Sequence, residues 1–394
     1  MMDELRNRQQ RLQQMMKQSG IDAFVITHNV GLYYFTGSMQ TGYLLIPSEG
    51  EATFFVRKSV SRARREYEGR VEPLESLTEL RTRLEQERPD LYRGKALVYA
   101  TEYDVLPLSY YQRLVKALPS VTWVDGALLI RETRMIKTPY EIQKIKDSAM
   151  VLHSALERSL SYIHVGMSEL EMISRIEHDM RQSGHIGLMR MRAYNQQASS
   201  GIIVSGASAA LPTYFDGPAG GEGLTAAFPI GSSRRAFEKN VPILIDVGCC
   251  IDGYHIDQSR TLVFGELPED LQHAYDTAER IARQTEINMQ PGIICERLFQ
   301  DALITAEEER LIDHFMGYKE DRAKFLGHGI GLEIDEFPVL AEKFMYPLQT
   351  GMVIAVEPKF TFPDLGVVGT EDTYYITETG CERLSVTAPG LIRM

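Results

Sequence analysis

VPILIDVGCCIDGYHIDQSRTLVF, residues 241–264, is an apolar stretch that contains two aspartates, Asp246 and Asp257. β-Branched and aromatic residues are frequent on both sides of the dipeptide Asp252-Gly253. An Asp-Gly pair between two such runs is typical of a two-residue hairpin turn. The stretch therefore predicts a β-hairpin whose strands both carry a carboxylate.

The turn also fixes which residues face each other across the hairpin. A two-residue turn places Asp246 opposite Ser259 and Asp257 opposite Gly248. The aspartates then become diagonal neighbours on one face, about 7–8 Å apart at the backbone. Because unpaired charges are costly in an apolar setting, this arrangement predicts that a cation or a pair of cations lies between them.

A second pair of strand-like runs closes the chain. Residues 352–360 read MVIAVEPKF and residues 367–377 read VVGTEDTYYIT, with a Pro/Asp/Gly turn between them. Centring that turn on Asp364 places Glu357 opposite Glu371. Opposed carboxylates destabilise a strand pair unless something positive lies between them.

Between the two hairpins, residues 325–338 read FLGHGIGLEIDEFP. His328 lies in a backbone that is too rich in glycine for an ordinary helix or strand, so we expect a loop that brings it close to a site. Four carboxylates and one imidazole suit two hard or borderline divalent ions, of which Mn, Co, Fe and Zn all fit.

Each of these residues also has a structural explanation. An aspartate in a hairpin commonly caps a turn or pairs with an arginine, and Arg260 is near enough to serve. A single histidine commonly hydrogen-bonds to a backbone carbonyl. The ordered set of five residues favours the metal hypothesis over five separate explanations.

The five residues resemble the ligand set of a known family. Within IDVG, GYHIDQSRT, GHGIGLEIDEFP, VEP and EDT, the chain resembles the pita-bread metallopeptidases: Xaa-Pro aminopeptidase, Xaa-Pro dipeptidase (prolidase) and methionine aminopeptidase, with creatinase as a relative. The resemblance covers nearly the whole chain. It implies that Asp246 and Glu371 bridge two metal ions, Mn by first expectation. It further implies that Asp257 completes one site, and that His328 with Glu357 completes the other.

By the same resemblance, Glu357 is the general acid/base and a metal-bridging hydroxide is the nucleophile. The departures concern other positions. Thr213 and Asp335 stand where the family usually has histidines, and Gly369 stands where an arginine is frequent. We expect Asp335 to act as an acid or hydrogen-bond partner, and Thr213 with Tyr214 to bind substrate. The alternative is that these replacements are merely tolerated.

The leading function is therefore hydrolysis of the amide bond of Xaa-Pro dipeptides or of peptides that begin with Xaa-Pro. Loss of both auxiliary histidines keeps an alternative open, a creatinase-like C–N hydrolase or a lyase that acts on a non-peptide small molecule. A third hypothesis is an inactive binding or scaffold protein. It predicts decayed metal ligands, whereas all five are present.

The domain organisation follows from length and pattern. A chain of 394 residues suits two well-packed domains. Alternating strands and helices in the first 130 or so residues predict an α/β domain. Thr138, Pro139 and Glu141 form a helix-start signature just beyond it. We therefore predict a creatinase-like α/β domain at residues 1–133, followed by a pita-bread (α+β) metallopeptidase domain at residues 134–394.

Composition restricts the partners. The formal net charge of −12 argues against a general nucleic-acid surface. The apolar runs are too short to span a bilayer, and the charged start lacks a signal-peptide core. We expect a cytoplasmic protein with a small peptide or small-molecule substrate, without nucleic-acid or membrane partners, and the resemblance implies a homodimer.

Overall fold

The computed structural model describes residues 2–89, 92 and 96–394. The chain forms two compact units. The first comprises Met1–Arg134 with Arg192–Asn195, and the second comprises Met135–Met191 with Gln196–Met394. The short Arg192–Asn195 segment therefore groups with the first unit although it lies far beyond it in sequence.

The first unit alternates strands and helices around one sheet. Its elements are α1 (Met2–Gln18), β1 (Ala23–Ile26), α2 (Asn29–Thr36), β2 (Gly42–Pro47), β3 (Thr53–Val56), α3 (Val60–Glu66), β4 (Arg70–Pro73), α4 (Leu77–Glu87), β5 (Leu97–Thr101), α5 (Leu108–Ala117), β6 (Val121–Asp125) and α6 (Ala127–Met135). The sheet has the order β4-β3-β2-β1-β5-β6. Strands β1, β2 and β3 are antiparallel neighbours, and the outer pairs are parallel.

The second unit combines helices with three sheets. Its elements are α7 (Pro139–Leu160), α8 (Glu169–Gln182), β7 (Gly201–Ser205), β8 (Pro242–Ile251), β9 (Tyr254–Val263), α9 (Glu269–Asn288), α10 (Cys295–Glu308), β10 (Phe325–Gly329), β11 (Glu336–Ala341), β12 (Val353–Val356), β13 (Lys359–Phe362), β14 (Gly366–Gly369), β15 (Asp372–Ile376), β16 (Cys381–Arg383) and β17 (Ile392–Arg393). The sheet orders are β17-β9-β8-β7, β11-β10-β12-β15-β16 and β13-β14.

The β8–β9 hairpin has the predicted register. Asp246 faces Ser259, and Asp257 faces Gly248. The turn residues Asp252 and Gly253 have φ values of 50° and 88°. Positive φ at both central positions is what a type I′ turn requires, and this turn matches the twist of the flanking strands. The prediction that both aspartates lie on one face of a hairpin is confirmed.

The second hairpin also turns where predicted. Strand β13 pairs with β14 so that Lys359 faces Gly369, and β12 pairs with β15 so that Val356 faces Asp372. Both pairings share one register, which is centred on Asp364. Glu357 and Glu371 lie between them, and continuing that register across the gap places them opposite each other.

The prediction of a loop at His328 is wrong, because Phe325–Gly329 is a strand. Strand β10 pairs with both β11 and β12. A Cβ atom on Gly327 or Gly329 would collide with the backbone of a neighbouring strand. The glycines therefore permit close approach of backbones inside the sheet, a role that glycine has in strands as well as in loops.

Helix α7 begins as its sequence signature predicts. The Thr138 side chain accepts a hydrogen bond from the Glu141 backbone N–H, and the Glu141 side chain accepts one from the Thr138 backbone N–H. The helix packs against β8 and β9. It thereby supports the strands that carry both aspartates. Among the described helices, none combines the length and apolar character that a membrane span requires.

Acid is expected to destabilise the second unit partly through His185. Burial lowers the pKa of this ring, whose Nδ1 accepts a hydrogen bond from the Cys250 backbone N–H at 2.9 Å. Below about pH 6.5 the unfolded chain binds a proton there more readily than the folded chain, so stability falls as the pH decreases. Urea unfolding at about pH 7.5 and about pH 5.5 should show a smaller loss for His185→Gln than for the native protein. Equal losses would contradict this assignment.

Candidate metal centre

Five positions in or directly beside strands bring the predicted ligands together. Asp246 lies on β8 and Asp257 on β9, while His328 lies on β10. Glu357 follows β12 and Glu371 precedes β15. A bridge between Ser259 and Glu371 joins the two sheets, with a backbone hydrogen bond of 3.1 Å from the Glu371 N–H to the Ser259 carbonyl. The two hairpins therefore meet along the edge that carries the acids.

Three of these residues form a group suited to a single cation. Ligand atoms of Asp257, His328 and Glu371 all lie within 4.8 Å of one another. Glu371 Oε1 is buried, and no hydrogen-bond partner for it is found among the described residues. A buried carboxylate oxygen without a partner is costly and calls for an explanation. The donors fit one divalent cation at this point.

The grouping differs from the one that the resemblance implies. There, Asp257 and His328 complete different metal sites and Asp246 bridges the two. Here, Asp257 shares a group with His328 and Glu371, while Asp246 lies 3.2 Å from the ammonium of Lys359.

Lys359 occupies the other side of the carboxylate cluster. Its Nζ atom lies 2.6 Å from Glu357 Oε2, 2.9 Å from Glu371 Oε2 and 3.2 Å from Asp246 Oδ2. The lysine side chain is fully buried. An ammonium with three carboxylate neighbours compensates part of their mutual repulsion.

His328 is oriented through its Nδ1 atom. Nδ1 lies 3.1 Å from the Gly329 carbonyl oxygen and 3.2 Å from Asp335 Oδ1, and both oxygens are acceptors. Nδ1 therefore carries the proton, and in the neutral ring Nε2 keeps its lone pair. Nε2 lies 3.5 Å from Glu357 Oε1. Two acceptors that face each other at this distance favour a proton or a cation between them.

Burial and the close spacing of the carboxylates shift their pKa values. Burial, followed by the carboxylates of Glu371 and Asp246, raises the pKa of Asp257 well above its usual range. Burial raises the pKa of Glu357 to about 7, against the opposing effect of the Lys359 ammonium. Burial also acts to raise the pKa of Glu371, but Lys359, His328 and the Ser259 hydroxyl together outweigh it and the pKa is lowered. Added positive charge would stabilise the ionised cluster.

Arg260 does not serve as the partner of the hairpin aspartates. Its Nη2 atom donates to Asp372 Oδ1 at 2.7 Å, and the side chain also donates to carbonyl oxygens of the surrounding backbone. The guanidinium is almost fully buried in that position. The simpler explanation, in which the hairpin aspartates pair with Arg260, therefore does not describe this structure.

The two positions where the family usually has histidines lie in different places. Asp335 contacts the Nδ1 side of His328, which is the side away from Glu357, and its side chain is about half exposed. Thr213 lines a cavity of about 270 Å³ together with Pro218, Tyr318 and Thr361. Tyr214 is half-exposed.

Lys359 is not among the residues predicted from the sequence, although a signal for it was present. A lysine inside the strand-like run MVIAVEPKF stands two residues after Glu357. Positions i and i+2 share a face in extended chain, so an ammonium was to be expected beside that carboxylate.

Comparison with known proteins adds independent information. The model of metallopeptidase family M24 matches residues 143–378, and that of the creatinase/prolidase N-terminal domain matches residues 8–136. The chain is 28% identical over 393 residues to an Xaa-Pro dipeptidase of Pyrococcus horikoshii, covering 99% of this chain and 100% of the relative.

Solved structures agree in fold. The prolidase from Pyrococcus horikoshii is similar with a TM-score of 0.80 at 26% identity, over 98% of this chain and 100% of that one. An Xaa-Pro dipeptidase from Bacillus anthracis is similar with a TM-score of 0.83 at 24% identity, over 99% of this chain and 100% of that one. The second likeness concerns the fold alone.

Proposed function

The chain belongs to metallopeptidase family M24, and on this premise we propose that it is a metal-dependent hydrolase that cleaves the amide bond of Xaa-Pro dipeptides. The family match confirms the predicted architecture, a creatinase-like α/β domain followed by a pita-bread domain. The full-length similarity to an Xaa-Pro dipeptidase supports this substrate over longer peptides and over non-peptide molecules.

The observation that carries the proposal is the group of Asp257, His328 and Glu371. Their ligand atoms lie within 4.8 Å of one another, and a buried oxygen of Glu371 has no partner among the described residues. A divalent cation bound there would polarise the scissile carbonyl and lower the pKa of a water molecule. Oxygen-rich donors with one imidazole suit such an ion.

The protein's own groups perform the proton transfers. Glu357 Oε2 accepts a hydrogen bond from Lys359, whereas Oε1 faces His328 Nε2 at 3.5 Å. One oxygen is thus fixed and the other faces the proposed cation group. In this scheme Glu357 takes a proton from the attacking water and delivers it to the departing proline nitrogen.

The cavity beside Thr213 is the proposed position of the substrate. Thr361 lines it and shares one face of β13 with Lys359, two residues earlier, about 7 Å along the strand. Proline residues 212, 218 and 363 give the cavity apolar walls. Such walls suit a proline ring, and the Thr213 hydroxyl in the lining offers a hydrogen bond. We propose that Tyr214, the half-exposed next residue, also contacts the substrate.

The proposal is tested by assaying the purified protein after removal of its metal and reloading with Mn, Co, Zn or Fe. Xaa-Pro dipeptides should be hydrolysed only after reloading, and faster than tripeptides that begin with Xaa-Pro. The matched control is an Xaa-Ala dipeptide, which should be cleaved poorly. Equal rates with and without metal, or no cleavage with any metal, would refute the proposal.

Asp335→Asn is expected to lower kcat about tenfold while the metal content is unchanged, because an aspartate that orients a ligand histidine acts from outside the ligand set. Asp335 Oδ1 lies 3.2 Å from His328 Nδ1. Asn at 335 keeps the size but loses the charge. The control is Asp313→Asn at an exposed position. An unchanged kcat would make Asp335 a tolerated replacement.

The proposal also includes the identity of the metal, the oligomeric state and the location in the cell. Mn is the expected metal because hard carboxylate oxygens dominate the donor set. The protein is expected to be a homodimer in the cytoplasm. Metal analysis of protein purified from its native host and sedimentation analysis in solution test the first two properties.

A further inference from the structure

We propose that the Lys359 ammonium takes the place of one metal ion, so that the centre binds a single divalent cation at Asp257, His328 and Glu371. This inference rests on the proposed metal dependence and changes the expected number of metal ions per chain. The resemblance led us to expect two metal ions bound by the same five residues. The position of Lys359 favours one metal ion and one built-in cation.

The Lys359 ammonium has the contacts of a metal ion that is bound by carboxylates. Nζ lies 2.6 Å from Glu357, 2.9 Å from Glu371 and 3.2 Å from Asp246. Three carboxylates around one point are the usual surroundings of a hard metal ion. A second divalent cation among the same three oxygens would have to displace the ammonium.

The two carboxylate oxygens of Glu371 have different surroundings. Oε2 accepts hydrogen bonds from Lys359 and from the Ser259 hydroxyl, the latter at 2.7 Å. Oε1 is the buried oxygen without a partner among the described residues. One side of this carboxylate is thus committed to the ammonium, while the other is available to a cation shared with Asp257 and His328.

Displacement of the ammonium is unfavourable. The Lys359 side chain is fully buried, and its three carboxylates are the charged partners within the cluster. Moving Nζ away from them would leave a buried charge without compensation.

Gly369 provides the space for this lysine. It faces Lys359 across the β13–β14 pair. A Cβ atom at position 369 would collide with the Lys359 backbone and Cγ atom. The absence of a side chain at position 369 leaves room for Lys359, whose ammonium reaches into the carboxylate cluster.

The native protein can be tested directly. We would load the metal-free protein with excess Mn²⁺, remove unbound metal, and measure the metal-to-protein ratio and the electron paramagnetic resonance spectrum. The expected result is a ratio of one with the six-line signal of an isolated Mn²⁺. A ratio of two, or the spectrum of a coupled Mn²⁺ pair, would overturn the inference.

Lys359→Ala tests the role of the ammonium. Removal of the ammonium should raise the ratio from one to two, because Asp246, Glu357 and Glu371 then surround an empty position. The matched control is Lys343→Ala, since the Lys343 side chain is 85% exposed. A folded Lys359→Ala protein that still binds one Mn²⁺ would contradict the proposal that the ammonium takes the place of a metal ion. If this variant fails to fold, the metal ratio and the electron paramagnetic resonance spectrum of the native protein still test the proposal.

The two proposals fail in different ways. One bound Mn²⁺ without Xaa-Pro hydrolysis would refute the proposed substrate and support the inference about Lys359. Two bound Mn²⁺ with hydrolysis would refute the inference and support the proposed function. Native protein that binds no metal would overturn both.

Discussion

Glu357→Gln is expected to lower kcat for an Xaa-Pro dipeptide by about 10²–10⁴-fold, the range typical of a lost general acid/base. Glutamine keeps the size of the side chain but cannot take up a proton near neutral pH. Glu357 accepts a hydrogen bond of 2.6 Å from Lys359 and faces His328 Nε2. The amide would therefore disturb the cluster as little as any replacement can.

The measurements separate chemistry from binding and from folding. We would determine kcat and KM, the metal content and the thermal unfolding of Glu357→Gln. A fall in kcat with little change in KM indicates loss of a group that acts in the transition state. Glu342→Gln is the control, because its carboxylate is 64% exposed. Activity of Glu357→Gln within twofold of the native protein would exclude this residue from the reaction.

The hairpins could be predicted because local chemistry determines them. An Asp-Gly pair that adopts two positive φ values fixes the β8–β9 register, and the register alone places Asp246 and Asp257 on one face. The second turn could be centred correctly because the strand runs on both sides of Asp364 are well defined. In both cases residues adjacent in sequence carry the information.

Strand β10 could not be predicted in the same way. Its glycines resemble a loop when the segment is considered alone. They fit a strand only because β11 and β12 approach so closely that a side chain would collide with their backbones. That close approach is set by residues far away in sequence, so no local pattern records it.

The metal centre, too, could be predicted from the sequence only in part. The four carboxylates follow from the strand pattern, His328 follows from its glycine-rich segment, and the complete ligand set follows from the resemblance. The arrangement of Lys359 with Asp246, Glu357 and Glu371 depends on how two hairpins meet, which periodicity does not specify. The position of Asp335 behind His328 likewise depends on the path of the chain between β10 and β11.

The structural support of the centre depends on Arg260, whose guanidinium joins three segments. Besides Asp372, it donates to the carbonyl oxygens of Ser259 and Glu371 at 2.7 and 2.8 Å. It also reaches the carbonyl oxygens of Thr387 and Ala388 near the end of the chain. Arg260 therefore fixes the backbone of Glu371 as well as neutralising an acid.

Arg260→Met is accordingly expected to lower the free energy of unfolding by about 3–5 kcal/mol, because removal of one partner leaves the other charge buried and unpaired. Arg383, whose Nη1 lies 3.6 Å from Asp372 Oδ2, compensates only in part. Arg260→Met with Asp372→Asn should recover a fraction of the loss, since the carbonyl acceptors stay unsatisfied. Urea unfolding measures both variants, with Arg393→Met, a partly exposed arginine, as the control. A loss below about 1 kcal/mol for Arg260→Met would place this ion pair with the weak pairs of the surface.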